Sequence, residues 1–329
     1  MNRVFLLKHE SINFIFSQNR NDFIVDELFD RKFAKKGTFL ILHVEKTNLT
    51  TWELIDIIAS YLSIPTSQIG YAGLKDKYAT TTQYLSLPQS YERQLQRFYH
   101  KQVKILETFK SKSKISIGDL SANKFTVTLR DVDGIKAGKI DKIAGKLQKS
   151  GFPNYFGYQR FSDDSIKQAR QMIDGDIFIK DKKVSKFLIS VYQSYKFNQW
   201  LSQRVQMSID EGLDHFKLLS GDVMTDRRGK VFTPKSPLLK EFLTKSVTPT
   251  GLLAGRHVFR ARGDAREIEE LYDDEFLDAK GLRRDAWIYP RELSCKYIPA
   301  TFSMQLDFIL PKASYATVFI ENIANKQPI

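Results

Sequence analysis

Residues 69–83 read IGYAGLKDKYATTTQ, a short run of Gly, Lys and Asp set between two apolar stretches. This pattern predicts a loop, because Gly permits a tight backbone and Asp tolerates turn conformations. We expect a strand over 68–72 to lead into the loop and a strand over 83–87 to leave it. The sequence therefore predicts a strand–loop–strand unit with one carboxylate, Asp76, in its loop.

The loop carboxylate has an ordinary interpretation and a chemical one. Asp76 lies between Lys75 and Lys77. Charge clusters between strands usually face water, so a solvated turn is the ordinary interpretation. In the chemical one, the two flanking ammonium groups lower the pKa of the Asp76 carboxyl, which is then ionised at neutral pH and suited to act as a nucleophile or a charge stabiliser. They would also attract a polyanion, and the loop residues alone leave both interpretations open.

The charge balance favours a polyanionic partner. The chain has 329 residues, of which 42% are hydrophobic, and a formal net charge of +13. Nucleic acid fits this charge best, although basicity alone leaves RNA, DNA and a membrane surface open. The length predicts two domains, or one domain that carries a large insertion.

The reactive residue types exclude several kinds of site. The single cysteine, Cys295, excludes an internal disulfide and a metal cage of several cysteines, and it indicates a reducing, cytoplasmic location. The five histidines are scattered, with no pair spaced as two ligands on one helix face, so we expect no metal site. No segment has the length of a signal-peptide core or a membrane span, so we expect a soluble protein.

Periodicity predicts a β-rich N-terminal part. Asn123–Arg130 (NKFTVTLR) alternates as a strand that turns Phe125 and two other apolar residues to one face. Residues 48–62 carry apolar residues at helical spacing, with a capping box formed by Thr50 and Glu53. Further strands are expected over 12–16, 23–28, 38–44, 103–109 and 114–120.

Helices predominate in the middle of the chain. We expect a long helix over 183–208, and the sequence GDVMTDRRGKVF over 221–232 predicts a hairpin with Arg228-Gly229 in its turn. The last segments are strand-like again, over 286–289, 298–310 and 315–320. This order is expected when one domain is inserted into another.

Four sequence motifs of the chain together resemble those of a known family. They are AGLKDKYATTTQ at 72–83, NKFTVTLR at 123–130, PNYFGYQRF at 153–161 and LPKASYATV at 310–318. In sequence and in order they resemble the TruD family of tRNA pseudouridine synthases. Weaker similarities, such as DFIVDE at 22–27, extend the resemblance over most of the chain, and the first and third motifs are its most specific parts.

The resemblance implies a fold of the α+β class. Its catalytic domain would be a pseudouridine synthase domain, built on a mixed, mostly antiparallel sheet with helices, and an α/β insertion domain would interrupt it. We place the catalytic domain at residues 1–149 and 286–329, and the insertion at 150–285.

The resemblance also implies a chemical role for Asp76. In pseudouridine formation the N1–C1′ bond of uridine breaks, the uracil turns while it is held, and C5 bonds to C1′. Asp76 matches the family's catalytic aspartate, whose carboxylate attacks the nucleotide at C1′ or assists formation of a glycal. The target base would have to leave its stack to reach that carboxylate. No cofactor is implied.

Residues near the carboxylate are implied to bind the substrate. Phe125 matches the aromatic residue that stacks on the flipped uracil, and Asn123 matches a neighbouring polar residue. Lys75, Lys77 and Gln83 belong to the loop motif and are expected to contact the substrate. From the residues alone, Phe125 is more typical of a core residue and Asn123 of a turn that starts the strand.

A second group of candidates lies in the PNYFGYQRF motif. Tyr155, Phe156, Gln159 and Arg160 are expected to line a cleft between the domains, because aromatic and basic side chains suit an RNA surface. Packing at a hinge is the alternative for these residues.

Three residues, at two places in the chain, depart from the family pattern. Members often carry a lysine a few residues before the DFIVDE stretch, near the catalytic carboxylate, and this chain has Ser17 there. Arg20 or Lys75 could take its place, so the charge partner of the carboxylate stays open. Glu321 and Asn322 stand where the family often has Arg-Glu.

The leading hypothesis is a monomeric tRNA pseudouridine synthase, which by resemblance acts on uridine 13 of tRNA-Glu without a metal ion or a membrane. A non-catalytic RNA-binding protein or tRNA folding chaperone that uses the same basic cleft is the alternative, and it would not need Asp76 or Asn123. A glycosidase acting on free nucleosides fits less well, because a small neutral substrate does not require a charge of +13.

Overall fold

The computed structural model describes residues 3–34 and 36–326, except for the side chain of Asp163. Its strands are β1 (Phe23–Leu28), β2 (Phe39–Thr47), β3 (Gly70–Tyr71), β4 (Thr80–Pro88), β5 (Val103–Ser111), β6 (Ala122–Arg130), β7 (Phe152–Pro153), β8 (Met224–Asp226), β9 (Val231–Phe232), β10 (Val247–Leu253), β11 (Leu282–Asp285), β12 (Trp287–Ile288), β13 (Arg291–Ile298) and β14 (Ser303–Pro311). Its helices are α1 (Thr51–Leu62), α2 (Glu92–Leu95), α3 (Gly134–Ser150), α4 (Asp163–Ile173), α5 (Lys182–Asp210), α6 (Leu239–Leu243), α7 (Gly263–Glu270) and α8 (Ala316–Ala324). None of the helices described is both long enough and apolar enough to cross a membrane.

The chain divides into two compact units. The sheet unit consists of Asn13–Asp141 and Pro290–Ala313, and the helical unit takes Met1–Ile12, Lys142–Tyr289 and Ser314–Pro328. The chain passes from the sheet unit to the helical unit at 141/142 and back at 289/290. These points are close to the predicted domain boundaries at 149/150 and 285/286. Unlike the predicted insertion, however, the helical unit also includes segments at both ends of the printed sequence. The predicted domain division stays a prediction.

The sheet unit is built on one mixed sheet of eight strands. The strand order is β13-β14-β6-β1-β4-β2-β5, with β3 paired to β4. Every neighbouring pair is antiparallel except β1 and β4, which run parallel. The α+β class and the mixed, mostly antiparallel sheet are therefore confirmed.

Helix α1 packs on one face of this sheet. The Thr50 hydroxyl accepts from the backbone N–H of Glu53, and the Glu53 carboxylate accepts from the backbone N–H of Thr50, so the predicted capping box is confirmed. An N-cap of this kind stabilises a helix by about 1 kcal/mol. The buried side of α1 packs against β2 and β4 in an apolar core that includes Leu54, Ile58, Leu42 and Leu85. This core fixes the helix across the sheet.

Helix α5 is the longest element of the helical unit, at 29 residues, and the long helix predicted over 183–208 is confirmed. Helix α4 packs against it through a small apolar cluster of Ala169, Leu188 and Val191. A four-stranded sheet of order β11-β10-β8-β9 lies in the same unit. Its β8–β9 hairpin confirms the prediction over 221–232, with Gly229 at a φ of +80° in the turn.

Three predicted strands are wrong. Residues 12–16 form only an isolated bridge at Ile15. Residues 114–120 form a loop, in which the Asp119 carboxylate accepts from the backbone N–H of Ser116. Of the predicted strand over 315–320, residues 316–320 belong to helix α8, in which every residue is buried. A helix buried all round shows no polar face in its sequence, and the β-branched residues of α8 favour a strand by pattern alone.

A buried ion pair joins the ends of the helical unit. Nη1 of Arg3 lies 2.7 Å from Oε2 of Glu321, one of the three residues that depart from the family pattern. The two side chains are 2% and 0% exposed. Burial raises the pKa of Glu321 to about 7, although the Arg3 guanidinium opposes the rise. The folded protein therefore holds the Glu321 proton up to a higher pH than the unfolded chain does.

We expect the stability of the wild type to fall, relative to a Glu321→Gln variant, as pH rises from about 4.5 to 7. In this window the folded state binds more protons at Glu321 than the unfolded state, so the contribution of the protonated group is lost with rising pH, by up to about 3 kcal/mol. Thermal unfolding of both proteins at pH 5 and pH 8 measures the effect. Glu270→Gln, at an exposed glutamate of the same unit, is the control, and parallel pH profiles for wild type and Glu321→Gln would contradict the prediction.

Candidate active site

The register of the sheet aligns one row of side chains on the face that α1 covers. Phe308 pairs with Phe125, Phe125 with Val25, Val25 with Thr81, and Thr81 with Lys46. Paired residues in neighbouring strands project to the same face of a sheet. All five are buried, so this face changes from apolar to polar between β1 and β4.

A second row, beside the first, contains a buried ion pair. Asn123 of β6 pairs with Glu27 of β1. Nζ of Lys75 lies 2.7 Å from Oε1 of Glu27 and donates to Oδ1 of Asn123 at 2.9 Å. The other Glu27 oxygen accepts from the backbone N–H of Tyr84 at 2.8 Å. Because the charged atoms all have partners, the pair can tie the loop to the sheet without leaving an isolated charge.

The Asp76 loop, residues 72–79, is also held at its backbone. Nζ of Lys46 donates to the carbonyl oxygen of Asp76 at 2.9 Å. The backbone N–H of Lys75 donates to the hydroxyl of Thr51, the first residue of α1, at 2.9 Å. A sheet lysine and a helix threonine thus fix the two residues at the centre of the loop.

Asp76 is exposed to solvent, yet the protein around it desolvates its carboxyl. This desolvation raises the pKa of Asp76 above its usual value, while the charges of Lys46 and Lys75 oppose the rise. The prediction of a lowered pKa is therefore wrong, because desolvation outweighs the lysines and because Lys77 pairs with Glu53, at 2.9 Å, instead of with Asp76.

Lys46 is a member of the site that sequence reasoning missed. The sequence left the charge partner of Asp76 open between Arg20 and Lys75. Lys46 is fully buried, and burial lowers its pKa to about 8, so it still carries its charge at neutral pH. The alternation of β2 contained the signal, because Val44, two residues earlier, lies on the same buried face.

Phe125, the residue predicted to stack on uracil, lies within a group of rings. It is 6% exposed, its ring is stacked on Phe308 with centroids 5.5 Å apart and planes at 22°, and Phe23 lies 6.1 Å away. Phe308 therefore occupies one face of the ring, and a base would have to use the other. This environment also suits a core phenylalanine, so the stacking role stays a prediction.

Two buried polar atoms near the loop have no hydrogen-bond partner within the part of the chain that the structure describes. They are Nε2 of Gln83 and Oγ1 of Thr81. The other end of the Gln83 amide is satisfied, since Oε1 accepts from the Thr51 hydroxyl at 3.0 Å. Unpaired buried polar atoms are costly and rare, so a water or a substrate atom would bind favourably beside them.

The four candidates of the PNYFGYQRF motif lie in the helical unit. Tyr155 is fully buried and donates to the carbonyl oxygen of Val4 at 3.0 Å, which favours the packing alternative. The half-buried Phe156 ring lies 3.9 Å from the guanidinium carbon of the buried Arg284. The remaining two are more accessible: Gln159 is exposed, and the half-buried Arg160 donates to hydroxyls of α5.

Thiol chemistry is not favoured by this structure. Cys295 is free and half-buried, and burial raises its pKa to about 12, so the reactive thiolate is scarce at neutral pH. Over residues 3–34 and 36–326, no three His, Cys, Asp or Glu side chains form a group that could hold a metal ion. The absence of a metal from the working protein stays a prediction.

Comparison with known proteins gives a consistent result. The sequence model of the family described as tRNA pseudouridine synthase D (TruD) matches residues 2–178 and 166–323. Relatives named tRNA pseudouridine synthase D include that of Nitratiruptor sp., which is 38% identical, and that of Sulfurimonas denitrificans, which is 39% identical. Each alignment covers 99% of this chain and 99% of the relative.

The fold is also found in a solved structure. The crystal structure of the putative tRNA pseudouridine synthase D (TruD) from Methanosarcina mazei superposes with a TM-score of 0.72, over 99% of this chain and 96% of that one, at 20% identity. Fold and sequence together define the class of this chain as an RNA pseudouridine synthase, an isomerase. Within that class, the chain belongs to the TruD family.

We expect Lys46→Met to raise the pKa of Asp76 further, because it removes a positive charge that now opposes desolvation. Carboxyl-carbon NMR titration of Asp76 measures this change. Lys77→Met is the matched control and should leave the Asp76 titration in place, since the Lys77 ammonium pairs with Glu53. A lower Asp76 pKa in Lys46→Met, or an equal change in the two variants, would contradict the assignment of Lys46.

Proposed function

We propose that this chain converts uridine to pseudouridine in tRNA, with Asp76 as the nucleophile and a target base flipped out of its stack. The observation that carries the proposal is a solvent-accessible carboxylate on a loop whose backbone is fixed by Lys46 and Thr51. A nucleophile needs this combination of access and a defined position. The choice of uridine 13 in tRNA-Glu rests on the family resemblance.

The reaction needs no oxidant or cofactor. A carboxylate oxygen of Asp76 attacks C1′, the N1–C1′ bond breaks, and uracil leaves with the bonding electron pair. The uracil turns, C5 attacks C1′ and displaces the carboxylate, the proton of C5 is lost, and N1 takes up a proton. In the glycal variant, the carboxylate instead removes a proton from C2′ as the N1–C1′ bond breaks and uracil leaves with the electron pair. C5 then bonds to C1′ while the carboxyl returns the proton to C2′, the proton of C5 is lost, and N1 takes up a proton.

The raised pKa of Asp76 has a use and a cost in this mechanism. A more basic carboxylate is a stronger nucleophile and proton acceptor, provided that it is ionised. Lys46 and Lys75 favour the ionised form against desolvation. The activity should therefore fall as pH drops through the raised pKa, and this acid limb should move to higher pH when Lys46 is replaced by Met.

The surroundings of the loop support a base-binding pocket. Phe125 would receive the flipped uracil on the ring face that Phe308 leaves uncovered. Asn123, held by Lys75, and the unpaired amide nitrogen of Gln83 would bind the polar edge of the base. A uracil edge presents both carbonyl and N–H groups, which an amide can match.

The RNA backbone would meet the positive charge of the protein. The net charge of +13 supports this, as do the accessible residues Lys77, Gln159 and Arg160. The half-buried Phe156 would also contact the RNA, and the buried Tyr155 would support this region by packing beneath it. The domain division, the cytoplasmic location, the monomeric state and the absence of a metal and a cofactor are likewise proposals.

Asp76→Asn should abolish release of tritium from C5-labelled uridine in tRNA, by at least about a thousandfold, because an amide is a poor nucleophile. Binding of tRNA, measured by filter retention, should be largely unchanged, since the substitution removes no contact on which the loop backbone depends. Lys77→Met should keep measurable turnover, because Lys77 pairs with Glu53 and takes no part in the contact between Lys46 and Asp76. Full activity in Asp76→Asn would overturn the proposal.

The non-catalytic alternative gives the opposite result in cells. If Asp76→Ala complements a strain lacking the gene while charge reversal at exposed lysines does not, RNA binding is the function that matters. Mapping of pseudouridines in total tRNA from the deletion strain identifies the site, and retention of pseudouridine at position 13 of tRNA-Glu would contradict the proposed target.

A further inference from the structure

Two large apolar side chains flank the proposed nucleophile. Leu74 is 62% exposed and Tyr78 is 66% exposed, two residues before and two residues after Asp76. Between and beyond them, Lys75 and Ala79 are buried, at 9% and 0%. Leu74, Asp76 and Tyr78 are thus the exposed residues of the loop.

The loop that carries these side chains is held at both ends as well as at its centre. Besides the contact from Lys46, the backbone N–H of Gly118 donates to the carbonyl oxygen of Ala72 at 2.8 Å, and the backbone N–H of Asn48 donates to that of Ala79 at 3.3 Å. Single exposed apolar residues are common on protein surfaces. Two that bracket a reactive carboxylate on a fixed backbone form a surface in a defined position.

The chemistry of that surface fits nucleobases. A flipped uridine leaves a gap in its strand, and the bases on either side lose a stacking partner. Aromatic rings stack on unstacked bases of RNA, and apolar side chains such as leucine act as wedges between base steps. Leu74 and Tyr78 are the exposed apolar side chains of the loop that carries Asp76, so they are available to the neighbours of a nucleotide bound there.

We infer that Leu74 and Tyr78 bind the nucleotides adjacent to the target uridine, Tyr78 by stacking on a neighbouring base and Leu74 by filling the gap that the flipped base leaves. The inference rests on the proposed function, because it takes Asp76 as the point where the target nucleotide is bound. It adds a surface that contacts the bases on either side of the target base, and not the target base itself.

The test compares variants on intact and on abasic RNA. Tyr78→Ala, Tyr78→Phe and Tyr99→Ala are assayed for RNA dissociation constant, KM and kcat, with Tyr99, an 87% exposed tyrosine outside the loop, as the matched control. The RNA substrates are intact tRNA and two versions that lack the base directly before or directly after the target uridine.

On intact RNA, Tyr78→Ala should weaken binding and kcat/KM by about 5- to 150-fold, the range of one lost base–aromatic stack, while Tyr78→Phe keeps the ring and stays within about threefold of wild type. Tyr99→Ala should match wild type. On the abasic RNA that lacks the stacked base, wild type and Tyr78→Ala should bind equally, because the partner of the ring is already absent.

Leu74 is tested by Leu74→Ala and Leu74→Met. Leu74→Ala should lower kcat more than it raises KM, because the flipped state needs the wedge more than initial binding does. Leu74→Met keeps an apolar chain of similar volume and should restore most of the loss. Thermal unfolding of each variant shows whether the loop substitutions disturb the fold.

The inference is overturned if Tyr78→Ala behaves like Tyr99→Ala on intact tRNA, or if its defect is the same size on both abasic RNAs as on intact RNA. The second outcome would show that the ring acts within the loop and not on a base. Failure of the proposed function is separate, since it would appear as a wild type without tritium release, and the RNA dissociation constants would still report on Tyr78.

Discussion

The buried contact between Lys75 and Glu27 is the interaction on which the site depends. The two side chains are 6% and 0% exposed, and Asn123 completes the contact. Removing one partner of such a pair costs about 3–5 kcal/mol, because the other charge is left buried and alone. The contact fixes Lys75 on the buried side of the loop, while the adjacent Asp76 is exposed. The ion pair thus holds the loop beside the carboxylate although it does not touch the carboxylate itself.

The one parallel strand pair of the eight-stranded sheet, β1 with β4, brings the residues of the site together. The parallel contact between β1 and β4 places Val25 beside Thr81 and joins the apolar strands to the polar ones. The rows that cross this contact bring Phe125 and Lys46, which are 79 positions apart in the printed sequence, onto one buried face. Two polar residues of that face hold the neighbouring elements, because Lys46 donates to the loop and Gln83 accepts from Thr51 of α1.

Local pattern predicted the parts of this protein that local chemistry controls. The capping box of α1, the alternation of β6 and the loop around Asp76 all follow from residues within a few positions of one another. The alternation of β2 places Lys46 on the buried face, but its contact with the Asp76 loop depends on the tertiary structure, which no local pattern contains. The predicted direction of the Asp76 pKa shift was wrong because desolvation depends on the whole surroundings. Helix α8 was missed because complete burial removes the polar face that marks a helix.

The segment before residue 13 has a consequence for how the chain is made. His9 Nε2 lies 3.0 Å from the carbonyl oxygen of Ile323, 314 positions later, and the backbone N–H of Ile12 donates to the carbonyl oxygen of Ala324. At a synthesis rate of 5–20 residues per second, these partners leave the ribosome roughly 15–60 s apart. During that interval the early segment lacks its final neighbours, so this part of the helical unit can close only after Ile323 and Ala324 have left the ribosome.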